Sequence, residues 1–158
     1  MFVREVAETT EKTQIARLVL EALPEWFGIP EAQEAYIRES ADGFFAAAYD
    51  GSRPVGFICL KETGKDTAEV HVMGVLKEYH RKGIGRALFL KAREAAVRKG
   101  YSFLQVKTVR MGKHEVYDGT NRFYLALGFR EFEVFPTLWD EHNPCQVYVM
   151  DTGRHDPP

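Results

Sequence analysis

Cysteine is scarce in this 158-residue chain: Cys59 and Cys145 stand alone and far apart. Two such residues make neither a disulfide framework nor a zinc site, and read as small buried hydrophobes of a reducing compartment. No apolar run approaches the roughly 18 residues that a membrane span requires. The first residues, MFVREVAETTEK, are charged too early for a signal peptide. An excess of one charge is also missing, since 21 Lys and Arg face 23 Asp and Glu, a net charge of −2. Such a balance gives the whole molecule no pull toward nucleic acid or an anionic membrane. Linkers, repeats and low-complexity tracts are absent too. The expectation is one cytoplasmic domain over residues 1–151, followed by a frayed tail, TGRHDPP, at 152–158.

What is present is a regular hydrophobic pattern. FVREV alternates as a strand, and Ile15, Leu18, Val19 and Ala22 recur at helical spacing until Pro24. Pro30 suits the first turn of a second helix, bearing Ala32, Ala35 and Tyr36 and ending near Ser40. GFFAAAYD and RPVGFICLKE form a hairpin through Asp50-Gly51-Ser52-Arg53, and TAEVHVMGVL is the next strand. A helix follows with Ile84, Ala87, Leu88, Ala92 and Ala95 on one face, closed by Gly100. Beyond the strand YSFLQVKTV, Thr120 can cap a short helix whose Phe123, Tyr124 and Leu127 share a face, with Gly128 at its end. FREFEVFP and CQVYVMD complete a mixed α/β sheet of about seven strands and four helices. Strand-helix-strand over 68–109 implies one central parallel pair in an otherwise mostly antiparallel sheet.

The stretch YHRKGIGRALF, residues 79–89, sets two glycines at the start of a helix, where each is unfavourable by roughly 1 kcal/mol relative to alanine. Bare backbone at a strand-to-helix turn offers several N–H groups to one anion, and the helix dipole adds about half a positive charge. Arg81, Lys82 and Arg86 surround that point, so a pyrophosphate suits it. The plainer alternative is a tight turn with solvated basic residues. A dinucleotide fold is disfavoured because Leu88 stands where a third glycine belongs, and no Walker sequence occurs.

VMGVLKEYHRKGIGRALF, followed about forty residues later by NRFYLALGF, resembles the GNAT superfamily of acetyl-CoA-dependent N-acetyltransferases. The resemblance runs from FVREV to CQVYVMD and implies a GNAT-like fold with acetyl-CoA as cosubstrate. It further implies that the backbone of Met73 and Val75 aligns the acetyl and pantetheine arm. The amides of Arg81, Lys82, Gly83, Ile84, Gly85 and Arg86 would hold the pyrophosphate, and Tyr124 would stand near the cofactor sulfur as general acid. This chain departs from the family at His80, where Gln or Arg is usual, and at Tyr117, where Asn is frequent; Asn121 is the substitute cofactor contact.

An alkylamine, with a pKa of about 10, arrives protonated and needs a proton acceptor. Glu69 and His71 are two apart on one strand and, with Met73, are expected to share a face and form a catalytic relay. The alternatives are a surface ion pair for Glu69 and a satisfied, partly buried histidine for His71. Neither cysteine adjoins a motif that would activate it as an acyl carrier. Two aromatic segments, LPEWFGIPE and FPTLWDEHNPC, occupy positions that wall the acceptor pocket in the family. They supply Trp26, Phe27, Phe135 and Trp139, with Glu25, Asp140 and Glu141 nearby, a setting for a cationic amine. The expected acceptor is a small-molecule amine. A protein or peptide amine is the enzymatic alternative, and a non-catalytic acyl-CoA-binding module the other. No nucleic acid, membrane or metal partner is expected, and a homodimer is left open.

Overall fold

The computed structural model describes residues 1–154. Its strands are β1 Phe2–Glu5, β2 Phe45–Asp50, β3 Arg53–Glu62, β4 Thr67–Val75, β5 Phe103–Val109, β6 Arg130–Asp140 and β7 Asn143–Asp151. Its helices are α1 Thr9–Glu21, α2 Pro30–Glu39, α3 Ile84–Lys99 and α4 Glu115–Leu127. The strands form one seven-stranded sheet in the order β1-β2-β3-β4-β5-β7-β6. Every neighbouring pair is antiparallel except β4 and β5, the parallel pair that the sequence pattern predicts. A parallel return needs a long crossover, and α3 is that crossover.

Two glycines show which helix covers which face. Gly56 of β3 pairs with Val75, and a Cβ on Gly56 would lie 3.3 Å from Leu88 of α3. At Gly74, one residue earlier on β4, a Cβ would instead lie 3.1 Å from Val19 of α1. Adjacent strand positions point to opposite faces, so α1 lies on one side and α3 on the other. Between them β3 is buried from Val55 to Leu60, and the Phe45 and Phe57 rings stack with centroids 5.1 Å apart. Helix α3 buries Ile84, Leu88, Phe89, Ala92, Ala95 and Ala96. Ala87, expected on that face, is exposed. The buried stripe follows Ile84, Leu88, Ala92 and Ala96 at four-residue steps and widens toward Phe89, whose ring lies 5.5 Å from that of Phe129.

The structure differs from the sequence reading at three boundaries. Helix α4 begins at Glu115, and Thr120 lies inside it rather than capping it. Tertiary anchors override the helix-weakening Gly119: the Asn121 amide donates to the carbonyl of Val109 (2.9 Å), and the Tyr148 hydroxyl donates to Asn121 Oδ1 at 2.6 Å; within the helix, the amide also donates to the Tyr117 carbonyl (2.7 Å). Strand β6 continues past Pro136 to Asp140, where a loop was expected. Proline is tolerated there because β6 is an edge strand. Its ladder with β7 jumps from Phe135↔Cys145 to Asp140↔Asn143, so residues 136–139 bulge outward. At the far end, Thr152 is buried and its hydroxyl donates to the Tyr101 carbonyl at 2.8 Å, while the Arg154 guanidinium donates to that of Val97 at 3.1 Å. The expected frayed tail is therefore anchored through Arg154, and residues 155–158 lie outside the described residues.

Replacing Asn121 by alanine removes the partner of the buried Tyr148 hydroxyl and the side-chain bond to the Val109 carbonyl and is expected to cost about 3 kcal/mol of stability. Tyr148→Phe should cost about 1 kcal/mol, and the double variant less than the sum. Urea unfolding of the three variants measures this, and additive losses would contradict a shared network.

Candidate active site

Strands β4 and β5 stay laddered only from Thr67↔Phe103 to Glu69↔Gln105. Past Glu69 they part, and the β5-facing edge of β4 loses its ladder partner. At the end of β4 a short 3-10 turn, Lys77–Tyr79, leads to Arg81 at φ 61° and Gly83 at φ 79°, and α3 begins. The left-handed backbone at 83 is where glycine is required. The first turn of α3 has no side-chain cap and no acidic residue, so its leading amides lack intrahelical partners and meet no competing carboxylate. Arg81, Lys82 and Arg86 are exposed around that point. Uncapped amides, positive dipole and flanking cations fit a pyrophosphate-bearing ligand.

Gly85 answers to a different constraint. A Cβ there would meet the Phe123 ring at 3.0 and 3.1 Å and Met73 Cε at 3.8 Å. The second glycine thus also lets α4 approach the start of α3. His80 Nε2 donates to the Val75 carbonyl at 2.6 Å, and its ring stands edge-on to Trp26.

Tyr124 is buried beside this junction, its ring packed edge-on against Phe123 (5.4 Å) and Phe129 (5.7 Å). Its hydroxyl has no hydrogen-bond partner among the described residues. Burial raises its pKa well above the usual tyrosine value, so it stays a neutral phenol with a proton to give. Asn121, one turn before Tyr124, is fully buried with both amide hydrogens committed to carbonyls and its oxygen accepting from Tyr148.

Strand β4 carries a bulge at His71: Val70 pairs with Leu60 and Val72 with Cys59, leaving His71 without an opposite residue. The extra residue shifts the alternation. Met73 approaches α3 at Gly85, while His71 binds Glu39 of α2, the helix packed on α1. The expectation that Glu69, His71 and Met73 share a face is therefore corrected. Glu69 and His71 lie on the α2 side, and Met73 on the α3 side.

On the α2 side, Lys107 Nζ donates to Glu69 Oε1 at 2.8 Å, and His71 Nε2 lies 2.7 Å from Glu39 Oε2. The Glu69 side chain is only 9% exposed, so its pairing with Lys107 is a buried one rather than a surface ion pair. Tyr36 packs edge-on to His71 at 5.5 Å, and its phenol pKa is raised by burial and then by the Glu69 charge. Phe135 is registered opposite Cys145, whose thiol lies within electrostatic reach of Lys107, so Phe135 borders the same cluster. Burial pushes the Cys145 thiol up to about 11 and that of Cys59 up to about 12, which keeps both un-nucleophilic near neutrality.

Trp26 and Phe27 join α1 to α2. The Trp26 indole donates to the Val116 carbonyl at 3.2 Å, and the Tyr117 hydroxyl donates to that of Trp26 at 3.2 Å. These bonds tie the loop to the start of α4. Trp139 is 44% exposed on the β6–β7 hairpin. The nearby carboxylates are already engaged. Glu25 is held below its usual pKa by Lys77, and Asp140 by the Asn143 amide. Sequence reasoning missed Glu39, Tyr36 and Lys107, because only the folded sheet brings them together. Among the described residues, no helix is long and apolar enough to cross a membrane, and no group of three His, Cys, Asp or Glu is placed to hold a metal ion.

The model of the Acetyltransferase (GNAT) family matches residues 12–129. An uncharacterized N-acetyltransferase of Methanocaldococcus jannaschii is 32% identical over 104 residues, covering 62% of this chain and 43% of that protein. The chain thus matches less than half the length of that relative. Among solved structures, a GNAT-family protein of Desulfovibrio desulfuricans superposes with a TM-score of 0.83 at 20% identity, covering 96% of this chain and 99% of that one. An aminoglycoside 6'-N-acetyltransferase in complex with coenzyme A gives 0.76 at 17% identity, covering 99% and 100%. The ribosomal-protein-S18-alanine N-acetyltransferase of Escherichia coli gives 0.75 at 14% identity, covering 98% and 97%. The last two scores are nearly equal, so the shared fold does not discriminate a small-molecule acceptor from a protein one.

Gly85→Val should destabilise the protein by about 1–3 kcal/mol through its clash with Phe123. In a Phe123→Ala background the penalty should shrink, as thermal unfolding of the four variants would show. An equal penalty in both backgrounds would contradict the packing role.

Proposed function

The chain belongs to the acetyltransferase (GNAT) family, and from that premise we propose that it transfers the acetyl group of acetyl-CoA directly to a primary amine of a small molecule. The observation that carries the reading is the parting of β4 from β5 beside an uncapped, cation-flanked helix start, with Tyr124, a buried phenol lacking a partner among the described residues, packed on the Phe123 ring that faces Gly85. When bound, acetyl-CoA supplies an acyl group already activated as a thioester.

The chain's residues divide the remaining work. The amides of Arg81 through Arg86, including those of Lys82, Gly83, Ile84 and Gly85, hold the pyrophosphate. The backbone of Met73 and Val75 lies along the acyl arm, with the Val75 amide as oxyanion donor. Tyr124 gives its proton to the departing sulfur. Glu69 or His71 takes the proton that the ammonium must lose. Asn121 acts through Tyr124, by fixing the helix that bears it. Trp26, Phe27, Phe135 and Trp139 wall the acceptor site.

One feature supports a small acceptor over a peptide. The α1–α2 loop is tied to α4 by the Trp26 and Tyr117 bonds, which narrows the groove a peptide would need.

Thiol release from acetyl-CoA, measured against small amines, an aminoglycoside and N-terminal peptides, tests this function. Turnover is expected with small amines. Coenzyme A binding without turnover on any amine or peptide would favour the non-catalytic module. Tyr124→Phe should lower kcat by about 100-fold or more while the Kd for coenzyme A stays within about threefold. Equal loss of both would remove the acid role.

A further inference from the structure

We propose that Glu39, the last residue of α2, positions His71 as the proton acceptor of the acetyl transfer. This rests on the acetyltransferase reading and selects between the two candidate bases. A carboxylate only accepts, so the 2.7 Å approach of Glu39 Oε2 makes Nε2 the protonated nitrogen of the neutral imidazole. Nδ1 has no partner among the described residues and is the lone pair left to take a proton. Glu69 is less suited, because Lys107 already holds its carboxylate.

The carboxylate and ring are both held in place. Lys12 is a buried lysine whose ammonium donates to the carbonyls of Ala41 (3.3 Å) and Gly43 (2.8 Å), and the Ser40 hydroxyl donates to that of Ile37 at 2.7 Å. These bonds pin the chain where α2 ends at Glu39. Tyr36, one turn earlier on α2, packs against the ring. The bulge in β4 leaves His71 without an opposite residue, and its side chain keeps 12% exposure. The other groups around the cluster are the Glu69–Lys107 pair, which is neutral overall, the Lys12 ammonium beyond the end of α2, the Tyr36 phenol and the Cys145 thiol. Glu39 is the carboxylate that contacts the ring. A substrate ammonium passes one proton to Nδ1 and becomes a neutral amine. The imidazole becomes an imidazolium, Glu39 stays ionised beside it, and the proton later leaves to water.

The test combines spectroscopy of the free protein with kinetics. In the full chain labelled with ¹⁵N-histidine, an exchange-protected ring N–H of His71 is expected, absent in His71→Asn and collapsed by exchange in Glu39→Ala. Glu39→Gln keeps the shape and removes the charge. It should lower kcat about tenfold or more for an alkylamine, with KM values within about threefold, and Glu39→Asp should recover part of the loss. For an acceptor of low amine pKa, such as a hydrazide, the loss should nearly vanish, since that amine arrives unprotonated. A merely structural role would slow both acceptors equally. An N–H signal unchanged in Glu39→Ala, or equal losses on both acceptors, overturns the proposal while leaving the acetyltransferase reading intact. No turnover by the wild-type protein on any amine overturns both, whatever the spectrum shows.

Discussion

The structure depends on a parallel pairing that stops early. Strands β4 and β5 share a ladder of three residue pairs and then separate. A parallel pair needs a crossover helix, and α3 starts where β4 ends, so the opening between the strands and the uncapped helix start belong to one region of the fold. Unpaired main-chain groups are costly unless water or a ligand satisfies them, which makes such a parting a natural place for an extended polar ligand. Anchors hold α4 in this region: Asn121 fastens α4 to β5 and β7, and Gly85 lets Phe123 reach the first turn of α3.

A second constraint is the single extra residue in β4. Without it, His71 and Met73 would sit side by side on one face. With it, one strand serves two compartments, one beside α3 and α4 and the other beside α2 and the β6–β7 hairpin. The polar pairs Glu39–His71 and Glu69–Lys107 populate the α2 side, and each spans two different elements. Their placement is tertiary throughout.

Element order, the parallel pair and the start of α3 were legible in the sequence, because alternation, helical spacing and glycine act over a few residues. The boundaries that moved did so for non-local reasons. Helix α4 gained a turn and more from anchors on Val109, Tyr148 and Trp26, which no local propensity encodes. Strand β6 kept Pro136 because nothing pairs with its outer edge. The tail was held through Thr152 by a loop fifty residues earlier in the chain.

The sequence alone determined the start of α3: Gly83 where the backbone turns left-handed, cations around it and no acid in the first turn. Those are properties of consecutive residues and survive any packing around them. Tertiary structure decided which groups meet across the sheet. Glu39 and His71 are thirty-two residues apart, and a one-residue bulge separates the histidine's face from that of Met73. A bulge arises from how two strands register against each other, so it exists only once both are paired.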